Sequence, residues 1–137
     1  MATAAPAVAR VAADPDRLAQ LLANLLENAM TFARHTVTVT VWDDASAGVC
    51  RIAVDDDGPG IPRDDLPRVF ERFYRADRGP NRRVGSGLGL AIVAELAAAM
   101  GGTVQAESPL GVDGGTRFVV TLRGWQAQAD GAGQRGT

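Results

Sequence analysis

Two asparagines, Asn24 and Asn28, stand four residues apart in a segment whose apolar residues recur at helical spacing. On a helix, residues four apart lie one turn above each other, and Thr31 continues the same row. This row borders the apolar stripe, so both amides are expected at the edge of a core, where they can face a cleft. An amide oxygen is a hard ligand suited to Mg²⁺. Two solvated asparagines would show the same spacing, so the row alone leaves both interpretations open.

Residues 55–62 (DDDGPGIP) combine carboxylates with two glycines that flank a proline. Glycines let a backbone approach a ligand closely. An Asp beside such a loop can accept a hydrogen bond from an exocyclic amine. Adenine carries that amine at N6, whereas guanine presents a carbonyl oxygen to the same acceptor. The loop therefore indicates an adenine-selective site or, in the simpler interpretation, an Asp-rich tight turn.

Residues 85–90 (GSGLGL) form a glycine-rich opening to a predicted helix. The N–H groups at a helix N-terminus attract anions such as phosphate. The segment does not follow a predicted strand and ends in Leu90, so it is not the dinucleotide-binding fingerprint. The arginines before it are either a solvated surface or, for one or two of them, phosphate ligands. These arginines are Arg72, Arg75, Arg78, Arg82 and Arg83.

The composition limits the classes of protein and of site that need to be considered. The 137 residues are 46% hydrophobic, which fits one domain with one core, and the net charge of −2 argues against a nucleic-acid partner. The single cysteine, Cys50, excludes a disulfide within the chain and a cysteine metal site. All 14 basic residues are arginine, so a Walker-type phosphate loop, which needs a lysine, is excluded.

The apolar runs of the sequence are too short to span a bilayer, and no signal peptide is evident. The sequence therefore predicts a cytoplasmic location, with no membrane contact by this segment. This prediction is compatible with a parent protein that is anchored in the inner membrane.

The hydrophobic patterns predict two long helices, one short helix and two β-hairpins. Asp14 is expected to cap the first helix. The predicted core stripe of that helix is Leu18, Leu22, Leu25, Ala29 and Phe32. The predicted helices span residues 15–34, 64–71 and 87–100, and the predicted strands span residues 8–11, 37–42, 49–54, 103–108 and 116–122.

The order of these elements predicts a fold of the α/β class, namely a two-layer α/β sandwich with a mixed sheet and helices on one face. The strict strand–helix alternation of dinucleotide-binding folds is absent. Residues 8–122 are expected to form one domain, in which residues 72–86 form a mobile lid. Residues 1–7 are predicted to be a flexible leader, and residues 123–137 a flexible tail.

Taken in order and with their spacing, these motifs resemble the catalytic ATP-binding domain of sensor histidine kinases in two-component systems, within the superfamily shared with gyrase, Hsp90 and MutL. Residues 24–29 (NLLENA) match the asparagine box, and residues 56–61 (DDGPGI) match the first glycine box. Residues 69–75 (VFERFYR) match the phenylalanine box, and residues 85–90 match the second glycine box. Residues 115–118 (GTRF) are similar to the last turn and strand of the family. The resemblance implies the Bergerat ATP-binding fold.

The resemblance also implies ATP and Mg²⁺ as ligands and assigns roles residue by residue. Asn28 would bind Mg²⁺, with Asn24 beside it near the phosphates as a further candidate ligand. Asp56 would accept a hydrogen bond from adenine N6, with Thr116 helping through water, and Phe32 would lie against the base. The residues implied to contact ATP are Asn24, Asn28, Phe32, Asp56, Gly58, Gly60, Ile61, Arg82, Arg83, Gly85, Gly87, Leu88, Gly89 and Thr116.

The lid and the partners follow from the same resemblance. Phe70 and Phe73 would anchor the lid to the domain, and the backbone amides of residues 87–89 would face the phosphates. The phosphoryl group of ATP would pass to a histidine on a helical dimerisation segment, in cis or in trans, with a response regulator downstream.

Two positions depart from the family pattern. Many members carry Lys or Arg three residues after the second asparagine, where this sequence has Thr31, so a lid arginine would have to supply that phosphate contact. The sequence also lacks a recognisable phosphoacceptor. Its one histidine, His35, follows Arg34 at the end of the first helix, where a cation suits the helix dipole. We therefore expect no transfer without a separate acceptor segment.

Three alternatives in the same superfamily are a gyrase-type ATPase, a stand-alone serine kinase of the anti-sigma-factor type, and a nucleotide-binding module without turnover. The first two carry a catalytic Glu four residues before the magnesium asparagine, where it acts as a general base. Here that position is Asn24, whose amide cannot take a proton, and Glu27 points about 100° around the helix from Asn28. The sequence favours a histidine kinase and leaves the module without turnover open, because the motifs indicate binding more directly than turnover.

Overall fold

The computed structural model describes residues 2–4, 13–72 and 89–124. Its strands are β1 (Ala2–Ala4), β2 (Val37–Asp44), β3 (Val49–Asp56), β4 (Thr103–Glu107) and β5 (Thr116–Arg123). Its α-helices are α1 (Pro15–Phe32) and α2 (Gly89–Ala99), and Arg63–Arg68 forms a 3-10 helix.

The five strands form one sheet in the order β1-β2-β3-β5-β4. Strand β1 is parallel to β2, and the other neighbouring strands are antiparallel. Helix α1 packs on β2 and β3, α2 packs on β4 and β5, and the two helices contact each other. The predicted two-layer α/β sandwich, with a mixed sheet and helices on one face, is therefore confirmed.

Helix α1 begins where the sequence predicts because Asp14 caps it. The Oδ1 atom of Asp14 accepts a hydrogen bond from the N–H of Asp16 at 2.8 Å. Pro15 takes the first helical position, where its missing N–H costs nothing. These three residues fix the direction in which the chain enters the helix layer.

The end of α1 comes at Phe32 rather than at Arg34, because a carboxylate binds the N–H groups that follow the helix. Asp57 accepts hydrogen bonds from the N–H groups of Arg34 at 2.8 Å, His35 at 3.0 Å and Thr36 at 3.1 Å. These bonds, chiefly those from His35 and Thr36, lower the pKa of Asp57 to about 2. The carboxylate thereby fixes the turn from α1 into β2.

The core side of α1 is centred on Leu21, Leu25 and Ala29, which are fully buried. Leu18 and Leu22 pack at the border of the core and are partly buried. The predicted stripe is thus correct for Leu25 and Ala29, but it omits Leu21. Neighbouring rows of residues lie close together on a helix. A small rotation of the helix about its axis therefore changes which leucine is most deeply buried in the core.

The buried face of the sheet is built from aligned rows of apolar side chains. One row consists of Val39, Val54, Phe118 and Ala106, and the next of Val41, Ile52, Val120 and Val104. Fully burying a Val, Ile or Phe side chain contributes roughly 1.5–3 kcal/mol. A shift of one residue would turn every one of these side chains to the other face, so the register is strongly fixed. The same register places Asp56 opposite Thr116 at the end of β3 and β5.

Strand β3 runs two residues beyond the predicted end at residue 54 and includes Asp55 and Asp56. Asp has a low preference for strands, but Asp55 lies opposite Arg117 on the outer face of the sheet. Arg117 donates from Nε and Nη2 to the two carboxylate oxygens of Asp55, both at 2.8 Å, and the pairing raises the pKa of Arg117. This cross-strand pair accounts for the longer strand.

Two further differences lie at the chain start and in the short helix. Ala2–Ala4 pairs with residues 38–40 of β2, so the predicted flexible leader is wrong for these three residues. The sequence ATA is too short to show an alternation of apolar and polar residues that would predict a strand, so only the pairing with β2 reveals it. The helix predicted at residues 64–71 is a shorter 3-10 helix at Arg63–Arg68, because Pro67 cannot donate an α-helical hydrogen bond.

Helix α2 ends at its predicted glycines. The N–H of Gly102 donates to the carbonyl of Ala97 at 2.8 Å, and the N–H of Gly101 donates to the carbonyl of Ala98 at 3.0 Å. Gly101 has a φ of +76°, the left-handed conformation that this type of helix end requires. The chain therefore turns directly from α2 into β4.

Parts of the predicted organisation lie outside the described residues. These parts are the strand at residues 8–11, residues 73–86 of the lid, residues 87–88 of the second helix and residues 125–137 of the tail. The limits of the domain at residues 8 and 122 stay predictions. Among the described residues, no helix combines the length and the apolar character needed to cross a bilayer.

The Asp57 contacts predict a pH-dependent contribution to stability. The folded-state pKa of about 2 lies below the ordinary Asp value of 3.8, so the stabilisation is complete above the unfolded-state pKa and is lost as the pH falls through the folded-state pKa. Asp57→Asn should lower the free energy of unfolding at pH 7. The deficit should shrink between pH 4 and pH 2, measured by urea unfolding. The control Asp64→Asn, at an exposed carboxylate, should cost little. A deficit that stays constant with pH would contradict the charge-based explanation.

Candidate functional site

The candidate site begins at a buried polar pair at one end of the sheet. Asp56 closes β3 and Thr116 opens β5, and their exposed fractions are 4% and 0%. Both side chains are on the sheet face that carries the apolar rows. The Oδ1 atom of Asp56 accepts a hydrogen bond from the N–H of Gly58 at 2.8 Å. The predicted partners Asp56 and Thr116 are therefore brought together by the strand register.

The first glycine loop passes so close to α1 that Gly58 tolerates no side chain. A Cβ atom at this position would collide with the carbonyl oxygen of Phe32 and would lie 2.9 Å from Asp56 Oδ1. This close approach brings the end of α1, with Phe32, to the Asp56 end of the sheet. The predicted base-pocket residues Phe32, Asp56 and Gly58 therefore share one place in the structure.

A second glycine turn, just before β5, closes against the first. The N–H of Gly115 donates to the carbonyl of Gly58 at 2.8 Å. A Cβ atom at Gly114 would lie 2.8 Å from the carbonyl oxygens of Gly58 and Pro59. Gly60, Gly114 and Gly115 all have positive φ angles, of +88°, +104° and +92°. The two turns therefore form one joined backbone unit beside Asp56 and Thr116.

Ser108, which the sequence does not single out, joins the two turns through its hydroxyl. Its Oγ accepts a hydrogen bond from the N–H of Ile61 at 2.7 Å and donates to the carbonyl of Gly115 at 2.7 Å. The Oγ atom also lies 3.2 Å from Oγ1 of Thr116. The only signal in the sequence is a hydroxyl residue at the end of a predicted strand, before Pro109.

The asparagine row lies on the part of α1 that leads to this pocket. Asn24, Asn28 and Phe32 are spaced four residues apart, so they form one row that spans about 12 Å of the helix axis. The Nδ2 atom of Asn28 is buried and has no hydrogen-bond partner among the described residues. Asn24 is half-buried. A buried side-chain amide that lacks a partner is the kind of group that a ligand completes.

The donor set at Asn28 fits Mg²⁺. The nitrogen and oxygen of a side-chain amide are assigned rather than observed, and the flipped amide would offer its oxygen at the buried position. Mg²⁺ takes one or two protein oxygens and keeps water and phosphate oxygens for the rest of its shell. Within residues 2–4, 13–72 and 89–124, no group of three or more His, Cys, Asp or Glu side chains is placed to hold a metal. A magnesium ion held by one asparagine and by phosphates is consistent with this arrangement.

The predicted lid joins the domain at two observed contacts. The ring of Phe70 packs edge-on against Phe118, with ring centroids 5.9 Å apart and an interplanar angle of 75°. Arg72 pairs with Glu95 of α2 at 2.9 Å, and both side chains are largely exposed. Such an exposed pair contributes little stability. Phe70 thus packs on the core, its role as an anchor of the lid stays a prediction, and Phe73 lies outside the described residues.

The predicted phosphate contacts are described at only one position. Gly89 is the first residue of α2, it is exposed, and a Cβ atom there would meet nothing within 4 Å among the described residues. The remaining predicted phosphate ligands lie outside the described residues. They are Arg82, Arg83, Gly85, Gly87 and Leu88.

Comparison with known proteins identifies relatives over most of the chain. A family model described as Histidine kinase-, DNA gyrase B-, and HSP90-like ATPase matches residues 13–126. Sensor protein ChvG of Rhizobium meliloti is 43% identical over 112 residues, which cover 77% of this chain and 19% of that protein. The signal transduction histidine-protein kinase AfsQ2 of Streptomyces coelicolor is 44% identical over 109 residues, which cover 80% and 20%. The chain thus spans about a fifth of the length of these curated relatives.

Solved structures share the same arrangement of helices and strands. The mycobacterial sensor histidine kinase MprB superimposes with a TM-score of 0.72 at 33% identity, covering 83% of this chain and 76% of that chain. Full-length ShkA in complex with AMPPNP gives a TM-score of 0.75 at 36% identity, covering 92% of this chain and 26% of that chain. The layers and the topology described above therefore recur in these proteins.

The close approach at Gly58 predicts a large effect of a single methyl group. Gly58→Ala should lower the free energy of unfolding by about 1–3 kcal/mol, the usual cost of forcing extra volume into a packed site. Gly111→Ala is the matched control, because a Cβ atom at Gly111 meets nothing within 4 Å. Urea unfolding of both variants is the measurement. Equal stability of the two variants would show that the contact between Phe32 and residue 58 is not as tight as described.

Proposed function

Because the chain belongs to the family of histidine kinase-, DNA gyrase B- and Hsp90-like ATPases, we propose that it acts as the ATP-binding catalytic domain of a two-component sensor histidine kinase. In this role it donates the γ-phosphate of ATP to a histidine on a separate dimerisation segment or chain. The observation that carries the proposal is the buried pair of Asp56 and Thr116, joined to the asparagine row of α1 through the contact between Gly58 and Phe32. The identity with named histidine kinases supports the same reaction class.

The adenine base would lie at the Asp56 end of the sheet. A carboxylate accepts hydrogen bonds and cannot donate them, so it favours the N6 amine of adenine over the carbonyl oxygen of guanine. Thr116 would take part through water, and Phe32 would lie against the base. The complex of ShkA with AMPPNP, an ATP analogue, supports a nucleotide ligand for this class of domain.

The triphosphate would extend from the base along the asparagine row. Asn28 would hold Mg²⁺, with Asn24 as the second candidate, and bound Mg²⁺ would neutralise charge on the phosphates. The start of α2 at Gly89 would offer backbone N–H groups to the phosphates. Arginines of residues 72–86 would supply further charge, since Thr31 holds the place of a cation on α1. The side chain of Thr31 instead donates to the carbonyl of Glu27 at 2.8 Å.

The phosphoryl transfer needs no general base from this chain. The unprotonated ring nitrogen of the acceptor histidine attacks the γ-phosphorus, a P–N bond forms, the P–O bond to ADP breaks, and the N–H proton of the other ring nitrogen passes to water. The contribution of the domain is positioning and charge stabilisation. Asn24, in the position of the ATPase base, cannot accept a proton, and Glu27 is exposed on the side of α1 away from the core.

The partners of the domain follow from this reaction. The acceptor would be a dimeric helical segment with a His-Glu or His-Asp motif, in cis or in trans. A response regulator would take the phosphoryl group from that histidine. A cytoplasmic location, where ATP is available, is part of the same proposal.

The test is phosphotransfer in trans. The chain is mixed with γ-labelled ATP, Mg²⁺ and a purified dimeric helical segment that carries a His-Glu or His-Asp motif. We expect label on the segment only, lost in acid and stable in alkali, because a phosphoramidate forms. Asn28→Ala should abolish the labelling and weaken Mg·ATP binding, whereas Gln20→Ala, on an exposed part of the same helix, should leave both intact. The chain alone should neither label itself nor hydrolyse ATP at an appreciable rate.

Other outcomes would point to other members of the superfamily. Acid-stable label on a partner protein would favour a serine kinase. Fast ATP hydrolysis by the isolated chain, lost in Glu27→Ala, would favour an ATPase. Tight ATP binding with no transfer to any acceptor segment, including that of the parent protein, would favour a nucleotide-binding module without turnover.

A further inference from the structure

Arg34, which follows the end of α1, makes one hydrogen bond through its backbone and another through its side chain. Its N–H donates to Oδ1 of Asp57, in the first glycine loop, at 2.8 Å and across 23 residues of sequence. Its Nη1 donates to the carbonyl oxygen of Asp113, in the turn before β5, at 3.0 Å and across 79 residues. A single residue thus ties the end of α1 to both loops of the candidate base pocket.

The two loops are also bonded to each other directly. The N–H of Gly115 donates to the carbonyl of Gly58 at 2.8 Å, and this bond joins the loops into one unit. Helix α1 meets the unit at the close approach of Phe32 to Gly58. A steric contact of this kind sets only a minimum separation, whereas the hydrogen bonds of Arg34 also keep the end of the helix from moving away.

The position of α1 relative to the loops matters because one nucleotide would use both. In the proposed function the base lies at the loops, beside Asp56, and the phosphates with Mg²⁺ lie along the asparagine row at Asn28. The two ends of ATP are covalently linked, so both sets of contacts form together only when their spacing matches that of the ligand. A site that is ordered beforehand binds more tightly, because less conformational freedom is lost on binding.

We propose that Arg34 is a positioning residue, whose side-chain bond to the turn before β5 holds the asparagine row of α1 in register with the base pocket. The inference rests on the proposed function as an ATP-binding domain and adds a residue to it. Arg34 lies beyond Phe32, at the base end of the row, and six residues after Asn28. It therefore acts on phosphate binding through the position of α1 rather than by contact with the phosphates.

Two other roles for Arg34 make different predictions. If its bonds only support the base pocket, their loss weakens every ligand that carries the base by one common factor. If its charge only attracts the triphosphate through space, the effect on ATP disappears at high ionic strength, because salt screens exposed charges that are more than a Debye length apart. Adenosine and Mg·ATP separate these cases, since adenosine carries the base without the phosphates.

The experiment is titration of the folded chain with Mg·ATP, followed by calorimetry, and with adenosine, followed by NMR chemical shifts. Arg34→Ala removes the bond to Asp113 and keeps the backbone N–H that binds Asp57. The variant should weaken Mg·ATP binding about fivefold, the equivalent of one hydrogen bond. Its affinity for adenosine should stay within about twofold of that of the wild type. Both results should hold at about 0.1 M and at about 0.5 M NaCl.

Two further variants make the test specific. Arg34→Met keeps a long side chain without a donor or a charge, so it should show the same selective loss of Mg·ATP affinity, and it replaces Arg34→Ala if truncation to alanine impairs folding. Arg17→Ala is the matched control, because it removes an exposed arginine from the first turn of the same helix. This control should bind both ligands as the wild type does.

The outcomes separate this inference from the proposed function. With a wild type that binds Mg·ATP, three results would overturn the role of Arg34 and leave the ATP-binding function intact. They are an equal weakening of adenosine and Mg·ATP, no change in either affinity, and a loss of Mg·ATP affinity that vanishes at high salt. A wild type that binds neither ligand would contradict the proposed function itself.

Discussion

Burial of the Asp56 carboxylate is the constraint on which the arrangement of the site depends. A buried polar group is costly unless it is hydrogen-bonded, and three parts of the chain meet around this one. The N–H of Gly58 donates to the carboxylate, the start of β5 lies across from it, and the end of α1 reaches the loop through the Phe32 carbonyl. The glycines of the two turns are needed because these backbones meet where a Cβ atom would not fit. The apolar rows of the sheet hold the register that keeps Asp56 in this place.

The apolar pattern predicts much of this fold but not its polar connections. Helix α1, both hairpins and the end of α2 follow from periodicity, from the Asp14 cap and from Gly101 and Gly102, all of which are local in the sequence. Strand β1 and the extension of β3 depend on partners far along the chain, Thr38–Thr40 and Arg117. No local pattern specifies such pairings, so the strand predicted at residues 49–54 ends too early and β1 is not predicted.

For the site, too, the features that local patterns predict differ from those that depend on distant partners. Asn28, Asp56 and Gly58 were predicted because a family resemblance carries their roles, and the structure brings Asp56 and Gly58 together with Phe32 and Thr116. Ser108 was not predicted as part of this region, and Asp57, which lies in the first glycine box, was given no role of its own, because the importance of both residues lies in what they bond. Ser108 links Ile61 to Gly115, and Asp57 binds three N–H groups after α1. A serine or an aspartate in a loop can make many different local hydrogen bonds, so the residue type does not predict its long-range partners.

In the proposed function, the work of the domain is divided between two regions. The end of the sheet, with its fixed register and joined turns, would select the base through its acceptor atoms. The asparagine row and the start of α2 would provide the place for the phosphates. A domain of this kind would hold ATP and present its γ-phosphate to a nucleophile on another segment. Selectivity for adenine at Asp56 is therefore the central claim, since the position of the phosphates depends on where the base lies.

The most direct test of that claim is calorimetric titration of the wild type and of Asp56→Asn with Mg·ATP and Mg·GTP under identical conditions. The account predicts that the wild type binds ATP and strongly discriminates against GTP. It also predicts that Asp56→Asn loses about 1–3 kcal/mol of ATP affinity, the cost of disrupting a buried hydrogen bond. The control Asp64→Asn should bind as the wild type does. Equal affinity of the wild type for GTP and ATP, or an unchanged ATP affinity in Asp56→Asn, would contradict the account.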